Sequence, residues 1–322
     1  MTTDSNPGQL PRRPFGQTEL QVTPLCLGCA PLASMPNVFY PVPQEQALAV
    51  LRAIFHSPIN FLDTAAGYGD GESERRIGVV LRELGGLPPG YVLATKADSD
   101  PRTADFSGEQ TKRSIERSMR LLGLGRLPIV YIHDPEYATT TFEDMMARGG
   151  AVDVLHRYKD DGVIGAVGVA GGPIDLMIRY VETGAFDAAL THNRYTLIDR
   201  SANSLLDLAA CRGMALVNAA PYGGGLLAKG PDAWDKYAYQ KAPPELVERV
   251  RRMDEICRRY NVPLAAAALQ FSLRDARITS TIVGMTRPER VAQTVELALH
   301  PIPDDLWPQL GAIYLCAQDV CV

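Results

Sequence analysis

The chain has 322 residues, 46% of them hydrophobic, which allows a large core and suits one barrel better than one ordinary domain. Its 32 basic and 37 acidic residues are interspersed, with a net charge of -5 and no basic run to follow a phosphate backbone, so nucleic acid is not an expected partner. No apolar stretch reaches the ~20 residues of a membrane span, and Met1 to Pro11 lacks the order of a signal peptide; the expectation is a soluble cytoplasmic protein with no membrane partner.

Residues 1–12 read as a loose tail, and 13–322 as a single domain. Within "RRPFGQTELQV", Gly16 and Gln17 separate two short runs, as in an N-terminal β-hairpin that could plug one end of a barrel. Short β-rich runs then alternate with helical patterns: Leu25 to Ala30, Ile59 to Ala65, Tyr91 to Ala97, Ile129 to Pro135, Ala166 to Ala170, Ala188 to His192, Ala215 to Ala219 and Ser280 to Met285. Between them the apolar spacing becomes helical, as in Ala47, Val50, Leu51 and Ile54; Ile77, Val80, Leu81 and Leu84; Ile115, Met119 and Leu122; and Ile174, Ile178 and Val181. Ser107 with Gln110 and Thr286 with Glu289 have capping-box spacing.

Eight strands alternating with helices form either a closed barrel or an open doubly wound sheet. The first turn, "LCLGCAPLAS", lacks the GxGxxG of a dinucleotide-binding open sheet, and Gly165, Gly168 and Gly171 also fail it. "GGGLLAKG" from Gly223 lacks the GK[ST] ending of a phosphate loop. The fold expected is therefore α/β, a (β/α)8 TIM barrel. The segment from Lys229 to Pro244, with Trp234, Tyr237 and Tyr239, has no regular period and reads either as a lid over the C-terminal face or as surface decoration. No metal site is predicted. Cys26 and Cys29 form a CxxC without a second Cys/His pair and read as packing thiols, and no HxH stands at Leu27 to Cys29.

In such a barrel reactive residues lie at the C-terminal ends of strands. Four qualify: Asp63 ends the second strand in "INFLDTAAGYG", Tyr68 follows it, Lys96 ends the third and His133 the fourth. An ammonium beside a phenol would bring its pKa closer to working pH, Asp63 would keep a buried Lys96 charged, and His133 could fix the angle of a substrate oxygen. Singly, each has an ordinary explanation: a helix cap, a packed tyrosine, a satisfied core histidine. Their convergence on three consecutive strands points instead to acid-base catalysis.

The spacing "DTAxxYG", then Lys, then His, resembles the aldo-keto reductase family, and the resemblance runs from about Arg13 to about Leu299. It implies the barrel, an NAD or NADP cofactor, and hydride transfer between nicotinamide and a carbonyl or sugar carbon, with Tyr68, Asp63, Lys96 and His133 catalytic. "FGQTELQVTPLCLG", "HNRYTLIDRS" and "AAPYGGGLL" look most like a branch acting on C1 of L-fucose, L-galactose or D-threo-aldose, or on pyridoxal; for the sugars the product would be a lactone. An NADPH-dependent reductase of small aldehydes or ketones, and a non-catalytic nicotinamide-binding subunit, are the alternatives it implies.

"TIVGMTRPERVAQTVE" resembles the family's adenosine segment. Thr286 and Arg290 would lie near the ribose or its 2'-phosphate, Gln293 and Thr294 near the adenine, and Gly284 replaces the family's lysine. The family's Ser-Asn pair, its Gln and its stacking Tyr correspond here to Ala170 and Gly171, His192 and Ala219, so His192 or Asn193 would take over part of the amide clamp and Tyr222 would supply a ring. Asn37, Tyr40 and Trp234 are the expected substrate contacts.

Overall fold

The computed structural model describes residues 9–35, 40–238 and 240–315. Most of the expected tail, and Asn37 and Tyr239 among the residues named above, lie outside them. The hairpin is present: β1 (Arg13–Pro14) pairs antiparallel with β2 (Gln21–Val22). Its turn residue Gly16 has φ +58, and a Cβ there would approach Ala215 N to 2.7 Å, so glycine lets the turn press against the barrel floor. Phe15 is fully buried and meets Phe61 edge to face at 5.9 Å, which closes the barrel's N-terminal end.

Eight parallel strands follow the expected order. They are β3 (Leu25–Gly28), β4 (Phe61–Asp63), β5 (Val92–Ala97), β6 (Leu127–His133), β7 (Ile164–Gly171), β8 (Ala188–His192), β9 (Ala215–Ala219) and, after the small ladder of β10 (Lys236–Tyr237) with β11 (Gln240–Lys241), β12 (Ser280–Gly284). β12 pairs with both β9 and β3, so the sheet closes and has no edge. Alternate residues fill the barrel, among them Cys26, Phe61, Ala94, Tyr131, Ala166, Leu190, Val217 and Ile282. The ring of Tyr131 lies over β7 so closely that a Cβ on Gly168 would stand 2.3 Å from it, so no larger residue fits at Gly168.

The outer faces of the strands pack on α1 (Gln44–Ile54), α2 (Glu72–Glu83), α3 (Gly108–Leu122), α4 (Phe142–Met146), α5 (Ala151–Asp160), α6 (Ile174–Glu182), α7 (Asn203–Cys211), α10 (Leu264–Leu273) and α11 (Glu289–Leu299), while α8 (Leu226–Lys229), α9 (Pro244–Arg259) and α12 (Leu306–Leu315) form a second apolar cluster with α10. Ala47, Val50, Leu51 and Ile54 are fully buried, as their spacing predicts. On α6 the buried face is Met177, Tyr180 and Val181 rather than Ile174 and Ile178, because Tyr180 turns in against Phe142 and Phe186. Leu84 is exposed, since the chain leaves the helix there at its C-cap.

Ser107 caps α3 by accepting from Gln110 N, but the side chain of Gln110 reaches Asp98 O instead of completing the box. The Thr286 to Glu289 box does not form, because α11 starts at Glu289 and Thr286 is bonded to Tyr40 and Gln46. Cys26 and Cys29 are free and buried, and burial pushes both thiols up, as befits packing residues. Among the described residues no helix is long and apolar enough to cross a membrane.

Glu74 on α2 is fully buried, and its Oε1 accepts from Thr95 Oγ1 at 2.5 Å. Burial pushes its pKa up to about 7, against the pull of the Thr95 hydroxyl. A carboxyl whose folded pKa lies above its unfolded value near ~4.3 contributes stability at low pH that is lost as pH rises from there through 7, by up to about 3 kcal/mol. Glu74→Gln is therefore expected to raise Tm at pH 8 and to change it little at pH 4.5; an equal shift at both pH values in thermal melts would show that Glu74 does not titrate in this window.

Candidate active site

The period of two that fills the barrel also builds the site. Phe61, Ala94 and Tyr131 point inward, and two residues further along β4, β5 and β6 stand Asp63, Lys96 and His133. These three form the last inward layer, at the C-terminal mouth. Tyr68 enters from the loop after β4, where Gly69 has φ +62 and a Cβ would approach Ala33 O to 2.7 Å. All four sequence-predicted residues meet.

Lys96 is 1% exposed, and its Nζ donates to Asp63 Oδ1 at 2.6 Å, to Thr64 O at 2.8 Å and to Tyr68 Oη at 3.1 Å. An ammonium has three protons, so all are used. The Tyr68 oxygen accepts from Lys96 and makes no second hydrogen bond among the described residues, which leaves its own proton free for an incoming oxygen. His133 meets the Tyr68 ring edge to face at 5.4 Å, and its Nδ1 lies 2.6 Å from Asp98 Oδ1.

The electrostatics correct one expectation. Burial pushes the Tyr68 phenol up, and the nearby Asp63 charge adds to this, so the pull of Lys96 does not bring the phenol below its ordinary value. Burial also opposes the charge on Lys96, but Asp63 and Tyr68 outweigh it and hold the ammonium above its usual range. Asp63 is itself raised by burial in spite of Lys96. Tyr68 is thus a protonated donor beside a permanent cation.

Three further groups that the sequence reading did not single out line the same mouth. Asp98 follows Lys96 by two residues and touches His133. Asp134 has a left-handed backbone, φ 44, and brings Oδ2 to 3.6 Å from His133 Nε2. Glu136 accepts from Gly172 N at 2.8 Å, and one polar atom each of Asp134, Glu136 and His192 lies within 4.8 Å of the others. The "HDPE" run carried the only signal for this polar wall.

The residues expected at the cofactor fall beside and beyond the four. His192 ends β8, where burial lowers its pKa and the charges of Asp134 and His133 reach it. Asn193, 7% exposed, donates Nδ2 to His192 Nδ1 at 3.3 Å, while its buried Oδ1 has no hydrogen-bond partner among the described residues. Tyr222 follows β9, its buried hydroxyl likewise without a partner among the described residues and within reach of the Arg290 charge. Gly284 ends β12 exposed; Thr286 and Thr294 are buried; Arg290 and Gln293 are exposed on the first turns of α11.

Of the expected substrate contacts, Tyr40 and Trp234 lie within the described residues. Tyr40 bonds Thr286, and Trp234 packs over Lys229, whose Nζ is 3.3 Å from the ring centroid, and against Gly225. Neither hydrogen-bonds the four central residues. Tyr237 reaches back to Thr196 Oγ1 at 3.1 Å, which seats the β10–β11 segment on the C-terminal face.

With this geometry in view, the comparisons agree with one another. The sequence profile of the Aldo/keto reductase family matches residues 24–315. A pyridoxal 4-dehydrogenase from Microbacterium luteolum is 32% identical, over 93% of this chain and 96% of its own. A D-threo-aldose 1-dehydrogenase from Pseudomonas sp is 33% identical, over 87% and 91%. In structure the chain resembles the holo form of aldo-keto reductase AKR11C1 from Bacillus halodurans with a TM-score of 0.77 at 20% identity, covering 95% and 96% of the two chains.

The Lys96–Asp63 pair gives a stability prediction. Lys96→Met leaves a buried carboxylate without its cation, and such a loss costs about 3–5 kcal/mol. Adding Asp63→Asn should recover part of it in denaturant melts; a double variant no more stable than Lys96→Met would show that the unpaired charge is not the cause.

Proposed function

The chain belongs to the aldo-keto reductase family and is an NAD(P)-dependent oxidoreductase; from that premise we propose that it oxidises C1 of a cyclic aldose of the L-fucose, L-galactose or D-threo-aldose type to a lactone, with Tyr68 as the acid-base group. The observation that carries this reading is the Tyr68 hydroxyl, whose oxygen is bonded by Lys96 at 3.1 Å and whose own proton is unclaimed. When bound, NAD or NADP supplies the nicotinamide carbon that accepts or returns the hydride.

The residues present fit such a group. The buried Oδ1 of Asn193, without a partner among the described residues, is an acceptor suited to a carboxamide N–H, with His192 beside it, and Tyr222 offers an aromatic face. At the far end Arg290 is an exposed cation without an ion-pair partner among the described residues, near Gly284, Thr286, Gln293 and Thr294, and suits a ribose or its 2'-phosphate.

The rest is done by the chain's own groups. In reduction the Tyr68 phenol protonates the carbonyl oxygen; in oxidation its own proton must first leave through the mouth, after which the phenolate, steadied by Lys96, takes the C1 hydroxyl proton, and Asp63 keeps Lys96 charged. His133 orients the reacting oxygen. Asp134, Glu136 and His192 present acceptors and a ring nitrogen suited to the remaining hydroxyls of a sugar.

Tyr68→Phe is expected to reduce turnover at least about 100-fold, while a fluorescence titration with reduced cofactor gives nearly the wild-type Kd, because only the proton step is removed. The test of substrate class is formation of reduced nicotinamide, followed by its near-ultraviolet absorbance, with L-fucose, L-galactose, D-arabinose and pyridoxal against simple aldehydes. Sugar-dependent reduction supports the aldose reading. Consumption of reduced cofactor by aldehydes alone favours a reductase, and silence with all of them points to a binding subunit or to a substrate outside the panel.

A further inference from the structure

We propose that Asp98 is a positioning residue of this site: one carboxylate oxygen fixes the proton of His133 on Nδ1, so that Nε2 meets the substrate oxygen, and the other clamps the backbone beside Tyr68. The proposal rests on the hydride-transfer reading above.

Asp98 Oδ1 lies 2.6 Å from His133 Nδ1, and Asp98 Oδ2 accepts from Gly67 N at 2.6 Å. Gly67 immediately precedes Tyr68, and a Cβ there would stand 3.0 Å from the Asp98 carboxylate, so a larger residue would press on that side chain. The backbone of Asp98 is fixed from α3, its N–H donating to Ser114 Oγ at 3.1 Å and its carbonyl accepting from Gln110 Nε2 at 3.1 Å. The carboxylate therefore joins the two groups that would face a reacting oxygen, the phenol and the imidazole, from a single rigid point.

An ionised carboxylate only accepts, so the nitrogen it touches must carry hydrogen. Among the described residues Nε2 makes no hydrogen bond of its own, and Asp134 Oδ2 stands 3.6 Å away. Nε2 is then the nitrogen that titrates: protonated it donates to a carbonyl oxygen, and neutral it accepts from a hydroxyl. The charged and titratable groups facing the ring are Asp98 after β5, Lys96 on β5, Asp63 on β4, Tyr68 in the loop after it, Asp134 and Glu136 after β6, and His192 on β8. Burial and Lys96 disfavour the imidazolium, Asp98 and Asp134 favour it, and the carboxylates prevail, so the ring keeps its second proton to higher pH than an ordinary histidine.

The test is a nitrogen-15 NMR titration of the histidine rings in the wild type and in Asp98→Asn, beside the pH profiles of kcat/KM. Wild-type His133 is expected as the Nδ1–H tautomer on the basic side of its midpoint. Asp98→Asn should lower that midpoint by roughly one to two pH units, the size of a lost close ion pair, and carry the matching limb of kcat/KM with it, while Tm and cofactor affinity change little. A purely structural aspartate would lower Tm and leave the midpoint in place. If neutral wild-type His133 carries its proton on Nε2, or titrates alike in both proteins, the proposal falls; the wild-type spectrum decides the tautomer even should Asp98→Asn not fold. A shifted midpoint in a protein that turns over no sugar or carbonyl with either nicotinamide would remove the hydride-transfer reading instead, and the positioning role with it.

Discussion

An ammonium buried to 1% exposure inside a barrel of apolar side chains is the constraint on which the site turns. Such a charge is tolerated only where every proton has an acceptor and one acceptor is an opposite charge. Lys96 meets both conditions, through Asp63, the Thr64 carbonyl and the Tyr68 oxygen. The same bonds fix the end of β4 and the loop that leaves it. The need to satisfy a buried cation thus places the phenol, and stability and chemistry share one set of contacts.

That arrangement was legible because it follows from strand geometry. Side chains alternate across a strand, so once Phe61, Ala94 and Tyr131 are read as interior, the residues two further on face the mouth. Eight strands were readable for a related reason: each is a short, largely apolar run between helical patterns, and β8 and β9 match to the residue. Strand ends were less legible. β4 is shorter than its apolar run because Asn60 spends its side chain on Thr23 N, Gln21 O and Gly90 O.

What the sequence concealed depends on tertiary approach. Asp98 looks like any loop aspartate until the Gly67 backbone and His133 ring are brought to it from two other strands. The left-handed conformation of Asp134 has no signature beyond the following proline, and the capping pattern at Thr286 was overridden by bonds to Tyr40 and Gln46, residues far away in the chain. The local partners of Tyr40 and Trp234, the Thr286 hydroxyl and the Lys229 ammonium, were hidden for the same reason.

The burial that makes the site rigid also biases its proton. With Tyr68 and Lys96 both held above their ordinary values, the resting site is a phenol beside an ammonium, already set to protonate a developing alkoxide. Oxidation asks the opposite, and Lys96 cannot take the proton because Asp63 and Tyr68 keep it charged. The proton must therefore leave towards the mouth, where His133, Asp134 and His192 stand, and those groups meet solvent more readily than the barrel interior does. The polar wall that suits a sugar's hydroxyls is for that reason also the exit an oxidative turnover needs. Reduction uses the same route in reverse, to return a proton to Tyr68 after each turnover, so an apolar mouth around the same four residues would slow both directions.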